Sequence, residues 1–248
     1  LWQPKGLARK EFIRTLSGNY IVVNNETGEI SGTAPTTFGF SGPQVPIVPT
    51  PVSVSADNGK VYDAKHWFKM SATTLYDYIS VNYPDFQNLL VKAGMALPKE
   101  FRYNFISESQ QYTVLVPTKA ALDAANANAL AGNHLVNFLK THFIQGNMIF
   151  TDGNKTSGYY ETLRESESST VYSKVYSKIY IKPVIDAIEV IGKNGAPMVT
   201  VNESPKANVI ASRNLNASNV TSVVPNRISN VVIHEIDTAL VFGDLDGK

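Results

Sequence analysis

The chain has 248 residues and a formal net charge of +1, with Lys and Arg nearly balancing Asp and Glu, so there is no electrostatic case for nucleic acid or an anionic membrane surface. The absence of cysteine excludes disulfides, thiolate catalysis, Cys-ligated zinc and iron–sulfur centres together. Hydrophobic residues make up 43%, yet no apolar run approaches the roughly 20 residues of a membrane-spanning helix, as expected of a soluble protein with one large domain or one and a half to two ordinary ones.

In chain order, the first pattern is a hairpin: a strand over residues 12–16, a turn at Ser17-Gly18-Asn19, and a strand over 20–23. Pro43, Pro46 and Pro49 then give an extended, polyproline-like stretch without donors for a sheet. It reads as a surface loop laying Val45, Ile47 and Val48 on the body, or as an exposed ligand for a partner. Residues 73–79 open a capped helix, and Phe86, Leu89, Leu90 and Ala93 follow at helical spacing before Gly94.

Residues 113–116 are β-branched and apolar, as in a strand buried on both faces. Pro117 has no N–H to continue the ladder, and Thr118 is placed to cap a helix over 119–125. Leu135, Phe138, Leu139 and His142 share a helical face, which puts His142 at or near a helix end before the chain turns at 143–146.

Residues 171–182 form the near-repeat Val-Tyr-Ser-Lys, Val-Tyr-Ser-Lys, Ile-Tyr-Ile-Lys. Its β-branched content favours a strand with Tyr172, Lys174, Tyr176, Lys178, Tyr180 and Lys182 on one face, although the four-residue period also fits a helix. Such a ladder suits stacking on sugar rings or anchoring a protein; alternating Lys also discourages edge-to-edge pairing. In the last strand Val232, His234 and Ile236 alternate with Ile233, Glu235 and Asp237, and a histidine there reads as a hydrogen-bonded structural residue.

No catalytic signature emerges. There is no G-x-S-x-G elbow, no phosphate-cradling Gly-Lys-Ser loop and no paired-histidine metal motif. His66, His134, His142 and His234 lack ligand spacing, so the expectation is a non-enzyme with no cofactor and no metal. A hydrolase site assembled from distant residues stays open as a third reading. Asn25, Asn154, Asn202, Asn216 and Asn219 head glycosylation sequons that matter only in a eukaryotic secretory route.

Two stretches carry a family resemblance. Residues 112–122 resemble the T-V-F-A-P-T-N-x-A-F segment of fasciclin-type (FAS1) domains, and 229–240 resemble their closing N-G-V-V-H-V-I-D-x-x-L strand. Lys119 stands where the family has Asn, Leu122 where it has Phe, and Val231 where it has Gly. The family's Tyr-His pair, implicated in integrin binding in animal members, is Thr141-His142 here, while Gly146 matches. The resemblance makes Thr113, Pro117, Thr118, His142, Gly146, Asn230, His234 and Asp237 mainly structural motif residues.

The hairpin over 12–23 is similar to the family's T-L-x-G-x-x-I-x-V element, and residues 58–68 resemble a second closing strand with Tyr62, Lys65 and Phe68 in place of His, Asp and Leu. Residues 1–69 thus resemble the C-terminal half of a first FAS1 domain, and 70–248 a complete second one. A half-domain cannot bury a sheet face alone, so its front half is expected upstream in a longer precursor or on another subunit; a chain starting at Leu1 otherwise reads as a truncated form.

The resemblance implies an α+β fold, a small β-sandwich or wedge with helices packed on it and the closing strand over 231–240 at its centre. It further implies a secreted or cell-surface adhesion or protein-binding module, similar to FAS1 lipoproteins of Bacteroidetes-type bacteria. Such a protein would be outer-membrane anchored in a longer or lipidated form, not membrane-spanning, and a subunit of a larger surface complex. A glycan-binding accessory module using Tyr172, Lys174, Tyr176, Lys178 and Tyr180 is the runner-up.

Overall fold

Helix starts are set by side chains that satisfy the first free N–H groups. In the computed structural model, which describes residues 8–33, 52–56, 59–62, 68, 70–71, 73–107, 110–212 and 229–248, Thr74 Oγ1 accepts the Asp77 N–H at 3.0 Å and opens α1 (Leu75–Asn82). α2 (Pro84–Lys92) begins on a proline, whose missing N–H costs nothing there. Thr118 Oγ1 accepts the Ala121 N–H at 3.2 Å to start α3 (Lys119–Ala124), and α4 (Gly132–Thr141) runs to His142 as its C-cap. The expected caps and helices are therefore present.

The body is an eight-stranded sheet built around β8 (Tyr112–Pro117), whose six residues are all buried. On one side antiparallel neighbours follow in chain order: β9 (Phe143–Gln145), β10 (Gly158–Glu165), β11 (Tyr176–Val184), β12 (Ala187–Ile191) and β13 (Pro197–Asn202). On the other side β15 (Ser229–Ile236) lies parallel to β8, pairing His234 with Leu115, and β14 (Val209–Ser212) forms the edge beyond it. The sheet curls until β13 meets β15, giving the expected wedge with helices on one face.

One expectation is corrected. The closing strand ends at Ile236 and lies next to the sheet's edge, not at its centre. Five successive strands stack on the other flank of β8, leaving only the flank beyond β8 for β15. The chain then leaves the sheet, and Thr118 N–H bonds Ile236 O at 2.9 Å at the point of departure.

Among the described residues three apolar clusters result. Leu75, Ile79, Phe86, Leu90, Leu135 and Leu139 from the helices pack on Val114, Val116, Val231 and Ile233. Inside the curl, Leu115, Ile144, Ile179, Ile181, Ile188, Val190 and Ile236 form the second. The third joins Met148, Phe150, Ile210 and Val232 to Tyr20 and Phe12 of the N-terminal segment.

That segment is a separate antiparallel sheet, β1 (Lys10–Arg14), β2 (Tyr20–Asn24) and β3 (Glu29–Ser31), realising the expected hairpin. Phe12 stacks on Phe150 with centroids 4.4 Å apart and planes 6° apart. Three carboxylates hold the first strand beside that stack. Asp186 accepts the Arg9 N–H at 2.7 Å, Glu203 accepts Lys10 Nζ at 2.8 Å, and Asp152 accepts the Phe12 N–H at 3.3 Å. A further hairpin pairs β4 (Val52–Ala56) with β5 (Gly59–Tyr62), so part of the expected second closing strand is extended. A small one pairs β6 (Ala96–Leu97) with β7 (Arg102–Tyr103). The proline-rich stretch over 35–51 lies outside the described residues, as does His66.

Candidate functional site

The motif residues lie mostly in the core, where their chemistry holds chain segments together. Thr113 Oγ1 donates to Asn147 O at 2.8 Å and accepts the Ile149 N–H at 2.9 Å, pinning the strap after β9. Gly146 turns that strap with φ of +78°, a left-handed conformation that favours glycine, and its N–H bonds Gln111 O at 2.8 Å. Pro117 ends β8 buried, Asn230 is buried at the start of β15, and Asp237 is exposed just past its end, accepting Thr238 Oγ1 at 3.2 Å.

His142 and His234 are both fully buried. His142 Nδ1 bonds Phe138 O at 2.9 Å and its Nε2 accepts the Leu240 N–H at 2.9 Å, which requires the Nδ1–H tautomer. His234 uses the opposite tautomer: Nε2–H donates to Ile149 O at 2.9 Å while Nδ1 accepts the Asn208 N–H at 3.2 Å. Burial pushes both imidazoles down to about 4, so both rings are neutral at neutral pH.

Beyond His234 the polar chain continues to the N-terminal sheet. Asn208, in a left-handed conformation that asparagine tolerates, bonds Thr151 and Glu203, and Glu203 reaches Lys10. Sequence reasoning missed Asn208, Glu203 and Asp152. Asp152 lies some fifty residues before Glu203 and Asn208, and the three meet only through the fold.

The Tyr/Lys ladder is only partly a ladder. β11 begins at Tyr176, with Tyr176, Lys178, Tyr180 and Lys182 facing out and Ser177, Ile179 and Ile181 buried. Tyr172 and Lys174 lie instead in the loop before it, a correction to the expected strand over 171–182. Ser and Thr side chains divert the backbone there: Thr170 Oγ1 accepts the Ser173 N–H at 3.0 Å and Ser169 Oγ accepts the Val175 N–H at 3.3 Å. Lys174 turns back to Glu165 at 2.7 Å, and this donor holds that carboxyl below its usual range.

Neighbouring strands widen the outward face. Tyr159 lies opposite Tyr180 and Glu161 opposite Lys178, and the two tyrosine rings meet edge to face at 5.1 Å. Asp246 accepts the Tyr159 hydroxyl at 2.8 Å, and Lys248 Nζ sits 3.9 Å from the centre of the Tyr159 ring. Gln145 Nε2 donates to Glu161 at 2.6 Å. Together Gln145, Tyr159, Glu161 and Lys178 line an open polar cleft of about 420 Å³. Tyr159 and Glu161 were missed because their place beside β11 depends on register between strands.

Among the described residues no group of His, Asp and Glu is arranged to hold a metal, and no helix is long and apolar enough to cross a membrane.

A solved FAS1 domain pair from the insect cell adhesion molecule fasciclin I aligns at 13% identity with a TM-score of 0.41, over 94% of this chain and 66% of that one. The chain thus spans just under two thirds of that pair. No curated protein matches it. A family model described as the fasciclin domain matches residues 81–242, from the end of α1 through the strands of the body to Phe242. The chain belongs to the fasciclin (FAS1) domain family.

Proposed function

We propose that this protein is a cell-surface adhesion or protein-binding module that works as a subunit of a larger surface complex. Fasciclin domains are in general adhesion or protein-binding modules and are commonly extracellular. Residues 1–69 are read as the C-terminal half of a first FAS1 domain and 70–248 as a complete second one.

The observation that carries this reading is the two-faced character of the N-terminal sheet. Pairing of Phe12 with Val22 and of Arg14 with Tyr20 places one face on the body; by the same register Ile13, Ile21, Val23 and Ile30 share the other. On that face Val23 is buried, as is Glu11 opposite it, while Ile13, Ile21 and Ile30 are only half-buried. A sheet with apolar residues on both faces needs a layer on each. The part of that second layer which would cover Ile13, Ile21 and Ile30 is the front half of the first domain, supplied by a longer form of the chain or by another subunit.

Recovering the native protein from its cell surface in mild detergent and identifying every co-purifying chain by mass spectrometry tests this. A longer form of the chain or a partner that no longer co-purifies after Ile13→Asp is the expected outcome. The chain alone, unaltered by Ile13→Asp, counts against it.

A second reading, glycan binding, is favoured by the polar cleft, where an aromatic ring, an amide and a carboxylate converge as sugar hydroxyls and ring faces require. Tyr159→Ala and Tyr180→Ala should each abolish any signal on a glycan array while the protein stays folded; an array with no signal for the unaltered protein removes the reading.

A further inference from the structure

The connection from β10 to β11 is a hairpin end held from within. Ser166 N–H donates to Val175 O at 2.9 Å, Ser169 N–H to Ser166 O at 3.0 Å and Thr170 N–H to Ser173 O at 2.9 Å. The side chains of Ser169 and Thr170 add the two bonds already described. At the apex of this frame Val171 is 89% and Tyr172 100% exposed. A β-branched residue and a tyrosine presented on a preordered turn give up little conformational entropy on binding and offer a large area to bury.

At the base of the same hairpin lies a cleft of about 290 Å³ walled by Leu130, Phe138, Val241 and Phe242, with His134 and Arg164 also lining it. Arg164 is fixed there. Its guanidinium lies 4.0 Å from the centre of the Phe242 ring and donates to Ser177 Oγ at 2.6 Å. The cleft falls just short of the roughly 300–1,000 Å³ typical of sites for drug-sized ligands. Its size and apolar walls suit one or two side chains.

We propose that the Val171–Tyr172 apex of one copy seats in this cleft of a second copy, and reciprocally, so that the chain forms a two-fold pair. This names a partner for the module and rests on reading the chain as a protein-binding protein. Three observations commit the cleft to this occupant. Among the described residues of the body Val171 and Tyr172 are the most exposed large apolar ones, and their apolar character matches the cleft walls. Glu167, exposed in the stem of the apex, brings a carboxylate to meet Arg164. Arg164 itself belongs to β10, the arm of the hairpin that leads to the apex, so donor and acceptor surfaces adjoin. Because the two surfaces adjoin, both contacts can form at once, and such a reciprocal interface closes under a two-fold axis.

Sedimentation equilibrium of the whole chain over a range of concentrations tests the pair. The unaltered protein should dimerise reversibly, and Tyr172→Ala and Val241→Glu should each weaken dimerisation at least about tenfold, as loss of an interface anchor does. Melting temperatures measured at concentrations where the unaltered protein is monomeric should not move, because both positions are exposed, Tyr172 at 100% and Val241 at 38%. Mixing the two variants should restore part of the association, since one intact apex then meets one intact cleft. If Val241→Glu does not fold, Tyr172→Ala decides alone. A protein that stays monomeric up to about 1 mM, or a dimer indifferent to Tyr172→Ala, overturns the proposal. If the monomeric protein still captures another chain from the cell surface, the binding-module reading survives and only this inference fails.

Discussion

His142 and His234 show how a single side chain can tie distant segments and make the fold sensitive to acid. Each ring spends both nitrogens on backbone groups, and each folded-state pKa is lowered by burial to about 4 against about 6.5 in the unfolded chain. Between those values the unfolded chain binds more protons than the folded one, so stability rises with pH across that window. It is fully present above about 6.5 and drains away as pH falls toward 4. Each ring is worth on the order of 3 kcal/mol by this route. Asp152 works in the opposite direction, because burial raises its carboxyl pKa. Urea unfolding at pH 7 and pH 4.5 should show a clear fall in midpoint, and His234→Leu should reduce that fall. At pH 7 the same substitution should cost about 1–3 kcal/mol for each of the two backbone groups left unpaired. A midpoint that does not change between the two pH values would remove this account.

At the scale of elements, what is legible in the sequence is what is local. β8, the stop at Pro117, the Thr118 cap and α3 follow within a dozen residues, and the structure holds all four. Thr118→Ala and Thr74→Ala should each cost about 1 kcal/mol in chemical denaturation, with Thr118→Ser keeping most of the stability that Thr118→Ala loses. An unchanged midpoint in Thr118→Ala would show that the hydroxyl carries no weight. Nothing along a single strand tells where its neighbour begins. Tyr172 and Lys174 continue the period-2 pattern of Tyr176 and Lys178, yet the Glu165–Tyr176 pairing ends the ladder there, and nearby hydroxyls take over the backbone groups. The polar cleft was illegible for the same reason: Gln145, Tyr159, Glu161 and Lys178 come from three strands and meet only through register. The position of β15 likewise depends on which flank of β8 the other strands occupy.

For the whole molecule the question is how firmly the N-terminal sheet belongs to the body. The body holds two large clusters that share β8 and β15, whereas β1–β3 is attached by the small cluster around Phe150 and by three carboxylates. Regions with fewer buried contacts open at lower free energy than the global unfolding. Hydrogen exchange should therefore find the amides of Val22 and Val23 less protected than those of Val114 and Ile233. Phe150 is 5% exposed, and Phe150→Ala should cost about 3–5 kcal/mol. That loss should appear first as faster exchange across residues 10–31. Glu203→Gln should have a milder effect of the same kind, because Lys10 loses its carboxylate partner while Thr151 and Asn208 keep an amide to bond. If Phe150→Ala instead accelerates exchange equally in β2 and β8, the two sheets unfold as one unit. The N-terminal segment would then be an integral layer of the second domain, and reading it as the detachable remnant of a first would fail.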